Sequence, residues 1–253
     1  MLFDTHCHLD DPLFAKDVDL VIDRAREAGV TAIVTAGTSI GSSRAAIEIA
    51  RRRDGVWAAG GIHPNEPATP DEADLLAAIA RDPKVVAIGE TGLDFFRQRT
   101  DPFRQQALLE VHLKIALDTG KPLIFHCRDA HAELYERLAS AAGRSIRGVM
   151  HCFSGTPETA RRFLDLGLYI SIAGPVTYPA AEPLRALIRT LPLDRLLVET
   201  DAPYLPPQEF RGGRNEPAYV RFTARRVARA AGVDFEKLCE VTTQNGRRLF
   251  GVG

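Results

Sequence analysis

Short apolar runs alternate with longer segments of helical periodicity along the chain. The runs are rich in Val, Ile, Leu and Ala and show no regular alternation with polar residues, which is typical of parallel strands buried on both faces. The longer segments place apolar residues three and four positions apart, and several of them end at a glycine, as amphipathic helices do. The pattern therefore predicts repeated strand–helix units of about 30 residues each.

Eight strands and nine helices are predicted from this pattern. The strands lie at residues 2–5, 30–36, 56–62, 85–90, 122–127, 148–152, 168–173 and 196–200. The helices lie at residues 17–28, 41–53, 71–81, 101–119, 130–142, 157–166, 183–190, 217–231 and 235–250. They predict an α/β protein, a (β/α)8 TIM barrel with extra C-terminal helices, for which 253 residues is an ordinary length. We expect residues 1–253 to form one domain. The alternative, a doubly wound open sheet, would require a glycine-rich sequence after the first strand, where two histidines stand instead.

Charge and composition exclude some classes of protein. The formal net charge is -1, which argues against a protein that coats duplex nucleic acid by charge but allows an enzyme that binds one nucleic-acid end. No run of about 18 apolar residues and no N-terminal signal segment is found, so we expect no membrane anchor and a cytoplasmic location. Four cysteines without a Cys-x-x-Cys pair predict free thiols.

Histidines and acids stand where the predicted strands end. The positions are His6, His8, His63, Glu90, His126, His151 and Asp201. Barrel enzymes build their active sites at the carboxyl ends of their strands, so these side chains are expected at one rim. Each has an ordinary alternative: a single histidine can be a hydrogen-bonded structural residue, Glu90 can cap a segment, and Asp201 can form a turn before a proline. Together they would be a costly set of buried polar groups without a shared ligand.

Six of these side chains suit two divalent metal ions. His6 and His8 lie at i and i+2 of one strand and face the same side. Glu90 is the expected bridge, since its strand lies between the first strand and the fifth and sixth strands, and a two-metal site both activates water and stabilises a developing oxyanion. We expect one site of His6, His8, Glu90 and Asp201, and a second of Glu90, His126 and His151.

Three of the cysteines directly follow a predicted ligand. Cys7, Cys127 and Cys152 should point to the opposite face of their strands, towards the helices. In that position a cysteine is a small apolar filler, and no metal or catalytic role is expected for these three.

Seven segments of the chain resemble the TatD family of metal-dependent hydrolases, within the amidohydrolase-like barrels. They are DTHCHLD at 4–10, GIHP at 61–64, GETGLDF at 89–95, PLIFHCRDA at 122–130, HCFSG at 151–155, VETDAPYL at 198–205 and NEP at 215–217. The resemblance implies a (β/α)8 barrel, a cytoplasmic location, two divalent ions (Mg²⁺, Mn²⁺ or Zn²⁺) and deoxyribonuclease activity. The ligand roles it implies fall on the same six residues. Many amidohydrolases carry a carboxylated lysine on the fourth strand, where this chain has Glu90.

The predicted activity is metal-dependent hydrolysis of phosphodiesters at DNA ends, exonuclease-like and 3′-to-5′, with single-stranded DNA as the substrate. Asp201 and Glu90 are the predicted catalytic residues, with Asp201 as the general base. His63 and Arg128 are predicted to bind phosphate, because arginine suits bidentate phosphate recognition. For Arg128 an ion pair with Asp129 or with another acid of a loop is the alternative.

Other activities use the same six ligands. A D-aminoacyl-tRNA deacylase, with tRNA as the partner, is the main alternative, followed by an amidase or lactonase acting on a small molecule. A non-enzymatic partner protein that keeps the barrel would be expected to have lost ligands, and none is lost here. No membrane and no obligate protein partner are expected.

Overall fold

The computed structural model describes residues 1–68, 72–97, 99–140 and 146–253. Its eight strands are β1 Leu2–Cys7, β2 Val30–Ala36, β3 Val56–Gly60, β4 Val85–Asp94, β5 Leu123–Arg128, β6 Gly148–Met150, β7 Tyr169–Ile172 and β8 Leu196–Val198. The helices are α1 Val18–Glu27, α2 Ile40–Arg52, α3 Glu72–Ile79, α4 Pro102–Thr119, α5 His131–Ser140, α6 Pro157–Asp165, α7 Glu182–Ile188, α8 Val220–Ala231 and α9 Phe235–Phe250.

The strands pair in parallel and in sequence order, from β1 to β8. The ring closes between the residues that follow β8 and the end of β1. There the amide of Asp201 donates to the carbonyl of His6 (2.9 Å), and the amide of His8 donates to the carbonyl of Ala202 (2.7 Å). The predicted (β/α)8 TIM barrel is therefore confirmed, and the open-sheet alternative is wrong.

Two apolar layers hold the barrel together. Alternate residues of a strand enter different layers: Ala32 and Val34 join the cluster inside the barrel, while Ile33 joins the larger cluster under the helices. The inner cluster is closed at one end by α9, whose Phe250 ring lies 5.8 Å from that of Phe3. Because this end is packed with apolar rings, the opposite rim is the one left for polar groups.

Several predicted boundaries differ from the structure. The fourth strand continues four residues beyond Glu90, whereas the sixth and eighth strands end two residues early, at Met150 and Val198. The segment 217–219 forms a 3-10 turn before α8, which begins at Val220. Two predicted helix ends, residue 71 and residues 141–142, lie outside the described residues.

Within the described part of the chain, every helix is too short or too polar to cross a bilayer.

Candidate metal centre

Five strands bring the six predicted ligands to one rim of the barrel. Strands β1, β4 and β5 carry His6, Glu90 and His126. His8 directly follows β1, and His151 and Asp201 follow β6 and β8. The Nε2 atoms of His6 and His8 lie 3.2 Å apart, and both rings are buried. The His6 ring also stacks on that of His151, with ring centroids 4.1 Å apart.

Glu90 lies between two groups of histidines. Its Oε1 atom is 2.8 Å from His151 Nε2 and 2.9 Å from His126 Nδ1. Its Oε2 atom is 3.5 Å from His6 Nε2 and 3.6 Å from His8 Nε2. Each carboxylate oxygen therefore faces one of the two groups, which is the arrangement that a bridging role for Glu90 requires.

Asp201 completes the group on the β1 side. Its Oδ1 atom lies 3.4 Å from His8 Nε2 and 3.5 Å from His6 Nε2. Its backbone has a positive φ of 58°, a conformation that Asp tolerates better than most residues. The Asn215 side chain holds this turn by donating to the carbonyls of Thr200 (2.8 Å) and Tyr204 (2.7 Å).

Hydrogen bonds behind three of the histidines fix which ring nitrogen faces the centre. His8 Nδ1 lies 2.8 Å from the carbonyl of Ala36, so it carries the proton and leaves the Nε2 lone pair free. His151 Nδ1 lies 3.3 Å from Glu199 Oε1 with the same result. His126 is turned the other way, because its Nε2 lies 3.0 Å from Asp94 Oδ2 and its Nδ1 faces Glu90. A carboxylate or carbonyl behind the ring is the usual support of a metal-binding histidine.

The donor set fits divalent cations. Two imidazole Nε2 atoms that face each other at 3.2 Å have no stable arrangement unless a proton or a cation lies between or beside them. The outward Nδ1 of His6 is buried and has no hydrogen-bond partner among the described residues, so His6 has no other polar interaction that would explain its burial. Imidazole and carboxylate ligands together suit Zn²⁺ and Mn²⁺.

The electrostatics of the centre favour ionised carboxylates and bound positive charge. Burial would raise the pKa of Glu90, but the surrounding histidines outweigh it and hold that pKa well below its ordinary value. The pKa of Asp201 is lowered in the same way, mainly through His8. Burial alone would lower the pKa of His8, yet Asp201 and Glu90 raise it to about 9.

His63 lies beside the centre and directs its protonated nitrogen towards Glu90. Its Nδ1 accepts a hydrogen bond from the amide of Asn65 (3.0 Å), so the neutral ring carries its proton on Nε2, which lies 3.6 Å from Glu90 Oε1. Burial lowers the pKa of His63 to about 4. Although His63 groups in space with Glu90 and His126, it presents a neutral N–H donor to the site, whereas a metal ligand presents a lone pair.

Arg128 lies at the end of β5, with an exposed side chain. Its guanidinium lies over the ring of Phe96, 4.6 Å from the ring centroid. Among the residues that the structure describes, Arg128 forms no ion pair with Asp129 or with another acid, and its phosphate-binding role stays a prediction.

Two buried acids of the centre were not identified from the sequence. Asp94 and Glu199 are fully buried and contact His126 and His151. Glu199 also accepts a hydrogen bond of 2.6 Å from the amide of Cys152. Asp94 stands in the segment GETGLDF and Glu199 in the segment VETDAPYL, each near a predicted ligand. This proximity in the sequence could have identified them.

Strand alternation predicts the direction of the Cys7 side chain but not that of Cys152. Cys7 is buried and directs its Sγ atom to the carbonyl of Val34 at 3.6 Å, away from the centre. Cys152 lies beyond the end of β6 and has a positive φ of 43°, so alternation does not set its direction. Burial raises the pKa of both thiols well above the ordinary value, which makes them poor nucleophiles.

The chain is similar to known proteins over nearly its whole length. The family described as TatD related DNase matches residues 3–251. An Escherichia coli (strain K12) protein described as the uncharacterized metal-dependent hydrolase YcfH is 41% identical over 254 residues, which cover 99% of this chain and 96% of YcfH. The Citrobacter koseri protein named 3'-5' ssDNA/RNA exonuclease TatD is 38% identical, and the match covers 99% of each chain. The solved structure of YJJV, a TatD homolog from Escherichia coli K12, has a TM-score of 0.95 at 34% identity and covers 100% of this chain and 98% of its own.

Proposed function

Because the chain belongs to the family of TatD-related DNases, we propose that this metal-dependent hydrolase is a 3′-to-5′ exonuclease for single-stranded nucleic acid. The observation that carries the proposal is Glu90, whose two oxygens face two separate groups of histidines. That arrangement suits two cations, and two-metal sites are typical of enzymes that hydrolyse phosphodiesters. The name of the Citrobacter koseri relative supports single-stranded DNA or RNA as the substrate.

The proposed ligands form two sets that share Glu90. His6, His8, Glu90 and Asp201 would hold one ion, and Glu90, His126 and His151 would hold the other. When bound, divalent cations supply positive charge that lowers the pKa of water and stabilises negative charge on phosphoryl oxygens. Mg²⁺, Mn²⁺ and Zn²⁺ are all compatible with this mixed set of nitrogen and oxygen ligands.

The side chains around the centre have distinct proposed roles in hydrolysis. Asp201 takes the proton of the attacking water, since its lowered pKa keeps it ionised at neutral pH. The water oxygen forms the new bond to phosphorus, the bond from phosphorus to the leaving sugar oxygen breaks, and that oxygen takes up a proton from solvent water. His63 donates its Nε2 proton in a hydrogen bond to a phosphate oxygen, because its Nδ1 is occupied by the amide of Asn65. Arg128 contributes a full positive charge for the phosphate backbone.

We propose that residues 1–253 act as one hydrolase domain in the cytoplasm. The four cysteines, none of which forms a disulfide, are consistent with a reducing compartment.

The test is a time course on short single-stranded DNA and RNA oligonucleotides, radiolabelled at the 3′ or the 5′ end, in the presence of Mg²⁺, Mn²⁺ or Zn²⁺. The wild-type protein should shorten the strands stepwise, and the two labels give the direction. The Glu90→Ala/Asp201→Ala double variant should leave them intact. The matched control is Glu158→Ala/Asp165→Ala, which removes two exposed acids from α6 and should keep full activity.

Two results would contradict the proposal. Equal activity of the Glu90→Ala/Asp201→Ala variant would show that the cleavage does not depend on this centre. A metal-loaded wild-type protein that cleaves no oligonucleotide would exclude the nuclease function, and D-aminoacyl-tRNA would then be the next substrate to test.

A further inference from the structure

Phe96 is a large aromatic side chain that the protein leaves in solvent. It is 61% exposed, although it stands only two residues after the buried Asp94. The Arg128 guanidinium lies over its ring, 4.6 Å from the centroid. A single exposed phenylalanine is ordinary on a protein surface, and what distinguishes Phe96 is its position beside the proposed centre and under an arginine.

The ring is held at a defined position relative to the proposed metal centre. The amide of Phe96 donates to Asp94 Oδ1 (3.1 Å), while Asp94 Oδ2 lies 3.0 Å from His126 Nε2. The amide of Phe95 donates to the carbonyl of Arg128 (2.9 Å). One buried carboxylate therefore joins the loop that carries Phe96 to a histidine of the centre, and β5 supplies both that histidine and Arg128.

Two further arginines stand close to this ring in the sequence. Arg97 and Arg99 flank it along the loop and are exposed, and neither guanidinium forms an ion pair within the described ranges. An exposed aromatic ring among unpaired guanidinium groups is the combination that binds single-stranded nucleic acid, in which bases stack on rings and cations contact the backbone.

We propose that Phe96 and Arg128 form a stacking platform for one nucleobase of the substrate, next to the phosphodiester that is cleaved. This inference rests on the proposed nuclease function and names the recognition element. Arg128 covers part of the ring, and the exposed remainder is available to a base. A base inside a duplex is already stacked on both faces, so the platform selects strands whose terminal bases are free.

The experiment compares a single-stranded DNA oligonucleotide with an oligomer of equal length in which tetrahydrofuran residues replace every nucleoside. Both substrates have the same phosphates, but only the first has bases. Phe96→Ala should raise KM for the oligonucleotide by about 5- to 150-fold, the range that the loss of one base–aromatic stack produces, while kcat changes little. For the abasic oligomer, wild type and Phe96→Ala should have equal KM.

Further variants separate stacking from other effects. Phe96→Tyr keeps an aromatic ring and should retain the wild-type KM, whereas Phe96→Leu keeps apolar volume alone and should behave like Phe96→Ala. Phe103→Ala removes another exposed ring, on α4, that is 80% exposed, and should leave both substrates unaffected. Thermal unfolding of each variant shows whether the fold is retained.

Two outcomes overturn the inference while the nuclease function stands: an unchanged KM of Phe96→Ala for the oligonucleotide, or an equal rise for the abasic oligomer. A wild-type protein that cleaves neither substrate refutes the nuclease function itself, and the platform with it.

Discussion

Asp94 and Glu199 each contact a histidine of the centre through the ring nitrogen that faces away from Glu90. At the scale of single residues, these acids decide whether a histidine presents a lone pair or a proton. His63 shows the opposite choice, since the amide of Asn65 occupies its Nδ1 and leaves a proton on Nε2. The distinction between a ligand and a hydrogen-bond donor therefore depends on the atoms behind each ring.

Asp94→Asn tests this control of the tautomer. An amide NH2 at the Oδ2 position would donate to His126 Nε2, so the ring proton would move to Nδ1 and point at Glu90. We expect metal affinity to fall by about 10- to 100-fold, the range found for partners of this kind. Titration of the metal-free protein with Zn²⁺ or Mn²⁺ by calorimetry measures the change, and excess metal should restore hydrolysis.

The control for this prediction is Asp129→Asn, which makes the same chemical change at an exposed rim position. It should leave the affinity unaltered. Equal affinities of wild type and Asp94→Asn would mean that Asp94 serves only the loop that contains Phe96.

At the scale of elements, the second half of β4 is closely packed against β5. Gly92 has a φ of 141°, which side chains rarely adopt, and a Cβ atom there would collide with the carbonyl oxygen of His126. Ile88 and Thr91 differ in register against β5, so Glu90 lies at an irregularity of the ladder. The strand is therefore shaped to bring Glu90 and Asp94 to the same histidine.

Gly92→Ala should disturb β5 as well as β4. The added methyl group must displace the backbone of His126, and we expect a loss of at least about 2 kcal/mol of unfolding free energy, as for other strained or overpacked positions. Urea unfolding gives the value, and metal content should fall in parallel. Gly212→Ala is the control for positive φ alone, because its φ is 92° and no atom lies within 4 Å of a Cβ built there. Equal losses in both variants would contradict the role of close packing.

His112 links α4 to the end of β3. Its Nε2 accepts from the amide of Ile62 (3.0 Å), and its Nδ1 donates to the carbonyl of Leu108 (2.8 Å). The neutral ring thus satisfies both neighbours, and burial lowers its pKa to about 4. Protonation would place an N–H against the Ile62 amide, directly before His63.

The lowered pKa makes the stability of the fold depend on pH. The unfolded chain binds a proton on His112 near pH 6.5, and the folded protein binds it near pH 4. The stabilisation that neutral His112 gives to the fold is therefore complete above about pH 6.5 and is lost as the pH falls towards 4. From pH 7.5 to pH 5 the loss from this residue is about 2 kcal/mol. His112→Gln should therefore lose about 2 kcal/mol less than wild type over this interval in urea unfolding at constant metal concentration. Identical losses would refute the assignment.

At the scale of the whole molecule, the strand order and the rim of polar groups follow from the sequence, while the supporting contacts do not. Strand ends of a parallel barrel meet at one rim whatever the details of the helices, so His6, Glu90 and His151 could be placed together from their positions alone. Asp94 could not, because β4 continues past Glu90 and its irregular register is set by β5. The contact of Arg128 with Phe96 joins the end of β5 to the loop after β4, and such pairs depend on side-chain geometry that periodicity does not encode.

We expect the proposed metals to stabilise the fold at the seam between β1 and β8. Pairing there is limited to an isolated bridge between Cys7 and Ala202, whereas β4 and β5 pair over several residues. His8 lies on one side of the seam and Asp201 on the other, so an ion held by both would join the two sides.

Removal of metal should therefore lower the stability of the barrel, and most strongly at this seam. A site at a free metal concentration of about 100 Kd contributes about 2.7 kcal/mol, which corresponds to a fall of about 5–10 °C in Tm when a chelator removes the ion. Hydrogen exchange should accelerate at the amides of His8 and Asp201, which make the seam bonds, more than at amides of β4 and β5. Glu90→Ala/Asp201→Ala should show no response to the chelator. Uniform acceleration across the barrel would mean that metal stabilises the fold as a whole and does not hold the seam in particular.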